Sequence, residues 1–157
     1  MKDIFNAVLA ALKDIPGLYV AENWGQLNID QPPVNFPCTL IDLGDAKHTQ
    51  LARLAQQADV GLQITLADII YNGIDEGSPA VEKERELQIF DLIDAVHRSL
   101  QGLSGATFSP LHRTGIEKTI REDSIREFVL YYRCGYTDNC AVKQTVPLRA
   151  QPAVTVQ

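Results

Sequence analysis

Apolar residues recur at helical spacing over the first fifteen positions. Ile4, Phe5, Val8, Leu9, Leu12 and Ile15 fall on one face of a period-3.6 helix over about residues 3–15. Pro16-Gly17 stops it, since proline lacks an amide donor and glycine permits the exit turn. Leu18-Tyr19-Val20 begins an extended stretch. The segment 22–33 reads as loop, broken by Trp24-Gly25, Asn28, Asp30 and Pro32-Pro33. Trp24 is expected to pack rather than to act as a ligand platform.

Residues 34–43 read as a buried strand, with Phe36, Cys38, Leu40, Ile41 and Leu43 apolar. Pro37 places its beginning or an edge there. Gly44-Asp45 marks a turn. Residues 46–57 fit either a short helix carrying Leu51, Leu54 and Ala55 or a polar hairpin arm. The alternation over 59–70 is clearest: Val60, Leu62, Ile64 and Leu66 interleave with Gly61, Gln63, Thr65 and Ala67. Period two predicts a strand with one face on a core.

After a loop at 71–77, Ser78 is expected to cap a second helix and Pro79 to open it. Glu82, Glu84 and Glu86 sit early in that helix, where its dipole favours them. The mixed run Glu82-Lys83-Glu84-Arg85-Glu86 reads as its solvated first turns. Ile89, Ile93, Val96 and Leu100 form the core face, with Phe90 beside it, and Gly102 is the stop. Residues 103–115 read as loop and 116–120 as a hairpin arm. From Ile125 to Tyr136 a strand puts Phe128, Leu130, Tyr132, Cys134 and Tyr136 on one face. Glu127, Val129, Tyr131 and Arg133 lie on the other. Val129 and Tyr131 make that second face too apolar for open water, so a helix, loop or neighbouring subunit is expected to cover part of it.

These elements predict an α+β fold: a mostly antiparallel sheet with two main helices packed on one side. One domain covers 1–138, and 139–157 form a loosely structured tail with Pro147 and Pro152. Within it, Val154-Thr155-Val156 has the composition of a strand that adds to a partner's sheet edge. The length of 157 residues and the hydrophobic share of 45% suit one core.

The net charge of -6 argues against gripping DNA or an anionic membrane, both of which need a basic patch. The N-terminus lacks the basic start and apolar block of a secretory signal. No apolar run approaches bilayer length. The expectation is a protein that is cytosolic where it is made, without a membrane. Cys38, Cys134 and Cys140 lack the spacing of a disulfide framework or a zinc site, and with His112 they give at most an incomplete ligand set.

Candidate chemistry is sparse. His48 lies in the polar segment near Asp42 and Asp45. His97 sits beside the apolar stripe of the second helix, with Asp94 one turn away. His112 sits in Leu111-His112-Arg113-Thr114. None has a metal-binding partner at helical spacing. Gly102-Leu103-Ser104-Gly105 is not a nucleophile elbow, and no glycine-rich phosphate loop occurs. The expectation is therefore a non-enzymatic protein with no catalytic residue, cofactor or metal. A hydrolase using His97 or His112 has the least support.

The order of segments resembles a known family. A helix ending near Pro16-Gly17 is followed by the strand Phe36-Pro37-Cys38-Thr39-Leu40-Ile41-Asp42 and a polar loop. Gln56-Gln57-Ala58-Asp59 leads into Val60-Gly61-Leu62-Gln63-Ile64-Thr65-Leu66. The helix from Phe90 to Gly102, Phe108-Ser109-Pro110-Leu111 and the strand through Phe128-Val129-Leu130-Tyr131-Tyr132 complete it. Over about residues 1–138 this layout resembles the tail-terminator and tail-completion proteins of tailed phages and prophages.

The resemblance implies a virion component, assembled in the bacterial cytoplasm, forming a ring, often of six copies, that caps the tail tube at the head-tail junction. The implied partners are other copies of the chain and the tail tube and neck proteins. No sequence-specific nucleic acid is implied, though DNA passes through the lumen. The family has no active site to carry over. A head-to-tail ring needs two different complementary surfaces. The segment 44–57 and the outer face of the last strand are expected to supply them, through Lys47, His48, Arg53, Gln56, Gln57, Val129, Tyr131 and Arg133. The alternative is a cytosolic protein-binding or adaptor module unrelated to phages.

Overall fold

A computed structural model describes residues 1–70, 73–119 and 121–141. The elements are α1 (Lys2–Lys13), β1 (Tyr19–Glu22), a 3-10 turn (Gln26–Asn28), β2 (Cys38–Ala52), β3 (Ala55–Ile69), α2 (Ala80–Leu100), β4 (His112–Thr119) and β5 (Ile125–Asp138). The sheet order is β1-β2-β3-β5-β4, with β1 parallel to β2 and every other pair antiparallel. The α+β class with a mostly antiparallel sheet is as expected.

Both helices lie on one face. Ile4, Val8 and Leu12 of α1 join Ile89, Ile93, Val96 and Leu100 of α2. They pack on Val60, Leu62, Ile64 and Leu66 of β3 and on Leu130 and Tyr132 of β5. The alternation read from the sequence decides this, because a period-two strand sends every second side chain to the same face. Gly17 and Gly102 follow the helices with φ of 74° and 81°, the left-handed geometry that glycine takes without penalty.

Among the described residues the opposite face is covered at one end only. Leu27, Cys38, Leu40 and Ala67 form a second small cluster, and Val34 and Phe36 pack against it from the segment before β2. The strand expected from residue 34 therefore begins at Cys38, because 34–37 serve as cover rather than as sheet. Arg121 ties this cover down. It donates to the Leu27 carbonyl at 2.7 Å and ion-pairs with Asp123 at 2.8 Å and Glu127 at 3.1 Å. Hydrogen bonding to Asp123, then Glu127, raises the Arg121 pKa. Arg121→Ala is expected to open residues 23–37 locally, at a cost of about 1–2 kcal/mol. Hydrogen exchange should show that opening while α1 and β3 keep their protection.

Four expectations are corrected. Gly44-Asp45 is not a turn: β2 runs through it with a register shift between Leu43 and Ala46. At the bulge Gly61 of β3 leaves room for the Asp45 side chain, since a Cβ at Gly61 would lie 2.6 Å from Asp45 Oδ1. Ser78 does not cap α2. Its hydroxyl accepts from the Asp75 amide at 2.9 Å within a turn, and Pro79 is the N-cap. Trp24 does not pack, being 63% exposed. Glu86 is not on a solvated turn: it is 3% exposed and faces Arg126.

Of the two readings of 46–57, the hairpin arm is the one observed, with Lys47 opposite Asp59 and Gln50 opposite Gln56. The 116–120 arm is part of β4, which begins earlier, at His112; residue 120 lies outside the described residues. β5 ends at Asp138, and the expected tail, with Val154-Thr155-Val156, lies outside them from residue 142.

Candidate assembly surfaces

β2 and β3 are 15 residues each, longer than the helices can cover. Beyond Ala58 and Tyr136 the hairpin continues to a turn at Arg53-Leu54. Residues 47–54 are exposed without a break. Leu51 and Leu54 lie in this run, 62% and 47% exposed. An isolated hairpin is marginal in water. Here β5 supports only its base, pairing with β3 out to Gln56–Asp138.

The second surface is the open half of the sheet face away from the helices. Val129 and Tyr131 of β5 lie there, half-buried between β3 and β4. The Tyr131 hydroxyl donates to Glu117 at 3.0 Å, and that carboxylate raises its pKa. Arg133 continues the row. It meets Asp59 at 3.0 Å and Asp45 at 3.7 Å, contacts that raise its pKa, Asp59 first. These carboxylates are largely exposed, so the pairs orient the side chains more than they stabilise the fold.

The structure thus brings together Lys47, Val129, Tyr131 and Arg133, with Gln57 further along the same face. His48 lies opposite Ala58 on the other face, Gln56 lies opposite Gln50, and Arg53 stands at the turn. Sequence reasoning missed Asp45 and Asp59. The register that pairs β2, β3 and β5 is what collects them, and no local motif signals it.

The histidines do not converge. His48 and His112 are exposed on different strands. His97 is half-buried, and its Nδ1 lies 3.2 Å from the Tyr132 hydroxyl. Burial lowers its pKa, Arg113 lowers it further and Asp94 opposes. The folded chain therefore binds fewer protons at His97 than the unfolded chain. The resulting stability is full above the ordinary value of 6.5 and is lost as pH falls below it. His97→Gln is expected to flatten that part of the stability–pH curve, checked by urea midpoints at pH 5, 6 and 7, all approximate settings around the histidine range.

Burial pushes the Cys38 thiol up to about 12 and raises Cys134 as well, as suits buried apolar thiols. Among the described residues no group of three or more His, Cys, Asp or Glu side chains is placed to hold a metal. A groove of about 410 Å³ runs beside the 3-10 turn; Asp30, Arg121 and Asp123 are its charged lining residues, and the last two are engaged with each other. Among the described residues no helix is long and apolar enough to cross a membrane.

No protein-family model matches the chain, and no curated protein matches its sequence. A chain in the solved virion of a native gene transfer agent particle is similar in layout. It is 19% identical with a TM-score of 0.40, over 84% of this chain and 86% of that one. An overlap of that size assigns neither a shared fold nor a role. The functional reading therefore rests on the surfaces of this chain.

Proposed function

We propose that the chain is a non-enzymatic structural component of a phage- or prophage-type virion, acting as a repeated subunit in a ring at the head-tail junction. The observation that carries this is the β2–β3 arm, which leaves the body with eight consecutive exposed residues, Leu51 and Leu54 among them. A polar arm with apolar points, left exposed among the described residues, is suited to a neighbouring subunit. The element order that resembles tail terminators supports the same reading. So does the net charge of -6, which suits a lumen that DNA crosses without being held. The partners on this reading are other copies, the tail tube and the neck.

Deleting the gene in its source organism tests this. The expected result is heads and tails that fail to join, or tails of uncontrolled length, seen by electron microscopy and restored by the gene in trans. Normal particles from the deletion strain contradict it.

An adaptor module is the second reading, favoured by β4. That edge strand is exposed along nearly its whole length and leaves one backbone edge unpaired by the sheet. Capture of a cellular partner through β4, with particles unaffected by deletion, would select it.

A further inference from the structure

The arm differs in charge from the rest of the molecule. Residues 46–58 hold Lys47, His48 and Arg53 and no acid, in a chain of net charge -6. Its tip carries two exposed leucines beside Arg53. The outer face of α2 is its counterpart. Leu87, Phe90, Asp91 and Asp94 follow i, i+3, i+4 and i+7 spacing, so they form one stripe. Leu87 and Phe90 are 45% and 50% exposed, and both aspartates are exposed. Of the three Lys and Arg side chains of the helix, Lys83 donates to the Glu76 carbonyl at 2.9 Å and Arg85 lies 3.9 Å from Glu86, while exposed Arg98, four residues past Asp94, ends the acidic part of the stripe.

The two surfaces lie at opposite ends of the sheet. The Phe90 ring rests edge-on against Phe128, near the start of β5. The arm leaves the body beyond Asp138, at its end. Those β5 positions are separated by roughly 33 Å of strand. The arm therefore does not reach the Leu87–Phe90 end of the stripe in its own chain.

We infer that the basic, leucine-bearing tip of the arm docks on the acidic, apolar outer stripe of α2 in a second copy of this chain. This rests on the ring reading above and names its contact. Arg53 faces Asp91 and Asp94, and Leu51 and Leu54 pack on Leu87 and Phe90. Two unlike surfaces at opposite ends make a head-to-tail contact, which closes into a ring or propagates as a filament. Eight exposed residues are few beside the roughly 20–30 a side of a standard interface. A single contact is therefore weak, and closure of the ring stabilises it. Screening weakens it further as salt rises.

The test is a charge exchange, read as mass by native mass spectrometry and sedimentation velocity at low salt. The wild-type chain is expected to form oligomers. Arg53→Glu, and separately Asp91→Arg with Asp94→Arg, should each raise the concentration for half-assembly by about tenfold or more. Combining all three substitutions should restore assembly. All the positions are exposed, and an unchanged circular dichroism spectrum checks each fold. Three results overturn the contact: single-surface variants that assemble like wild type, a combined variant that stays dissociated, or a wild-type chain that is always monomeric. If deletion still leaves heads and tails unjoined, the virion reading survives the loss of this contact; if particles are normal, that reading falls independently.

Discussion

Arg126→Ala is expected to lower the unfolding free energy by about 3–5 kcal/mol, seen as a lower urea midpoint with an unchanged slope. Arg126 is buried at the start of β5, with Glu86 at 3.7 Å and Asp68 at 3.5 Å. Glu86 belongs to α2, so the pair bolts the helix to the sheet where α2 begins. Both contacts are long, and the Arg126 Nε finds no hydrogen-bond partner among the described residues. The attraction thus repays desolvation only in part, while removing the cation takes from a buried carboxylate its buried counter-charge and leaves the more exposed Arg85 at 3.9 Å. Replacing both groups, Glu86→Leu with Arg126→Met, should return stability to near wild type or above. Asp68, more exposed, is left with access to water. A double variant as unstable as Arg126→Ala would show that this site depends on charge itself.

Ile64→Ala is expected to cost about 2–5 kcal/mol by the same measurement. Ile64 is fully buried on β3, the middle strand of five. It sits opposite Ile41 on one side and Leu130 on the other, in the layer that both helices cover. Truncation removes apolar contact and leaves a cavity that rigid strand pairing on both sides cannot close. The same change at exposed Leu54 removes no core contact and should leave monomer stability within about 0.5 kcal/mol. The pair of variants separates the residues that hold the fold from those the arm offers outward.

Residues that pack on the core were the most legible in the sequence. β3 and β5 alternate because one face is buried, and α2 repeats its apolar positions for the same reason. The outer half of β2 was ambiguous because residues 47–54 are exposed among the described residues, so burial imposes no period on them. Glu86 was legible by position and misread by type: it lies three residues before Ile89, on the core face, but its charge suggested solvent. The Arg121 clamp was out of reach, because it joins groups 94 residues apart. The Arg133–Asp59–Asp45 cluster likewise exists only once the strand register is set. The arm was legible as a segment, but its exposed leucines and the acidic stripe that complements it appear only when the fold separates core from surface.

The most direct measurement labels particles from the source organism with antibody against this chain and views them by electron microscopy. Label at one end of the tail, next to the head, is expected on most particles. Particles without label, or label spread through the cell and absent from virions, would contradict it.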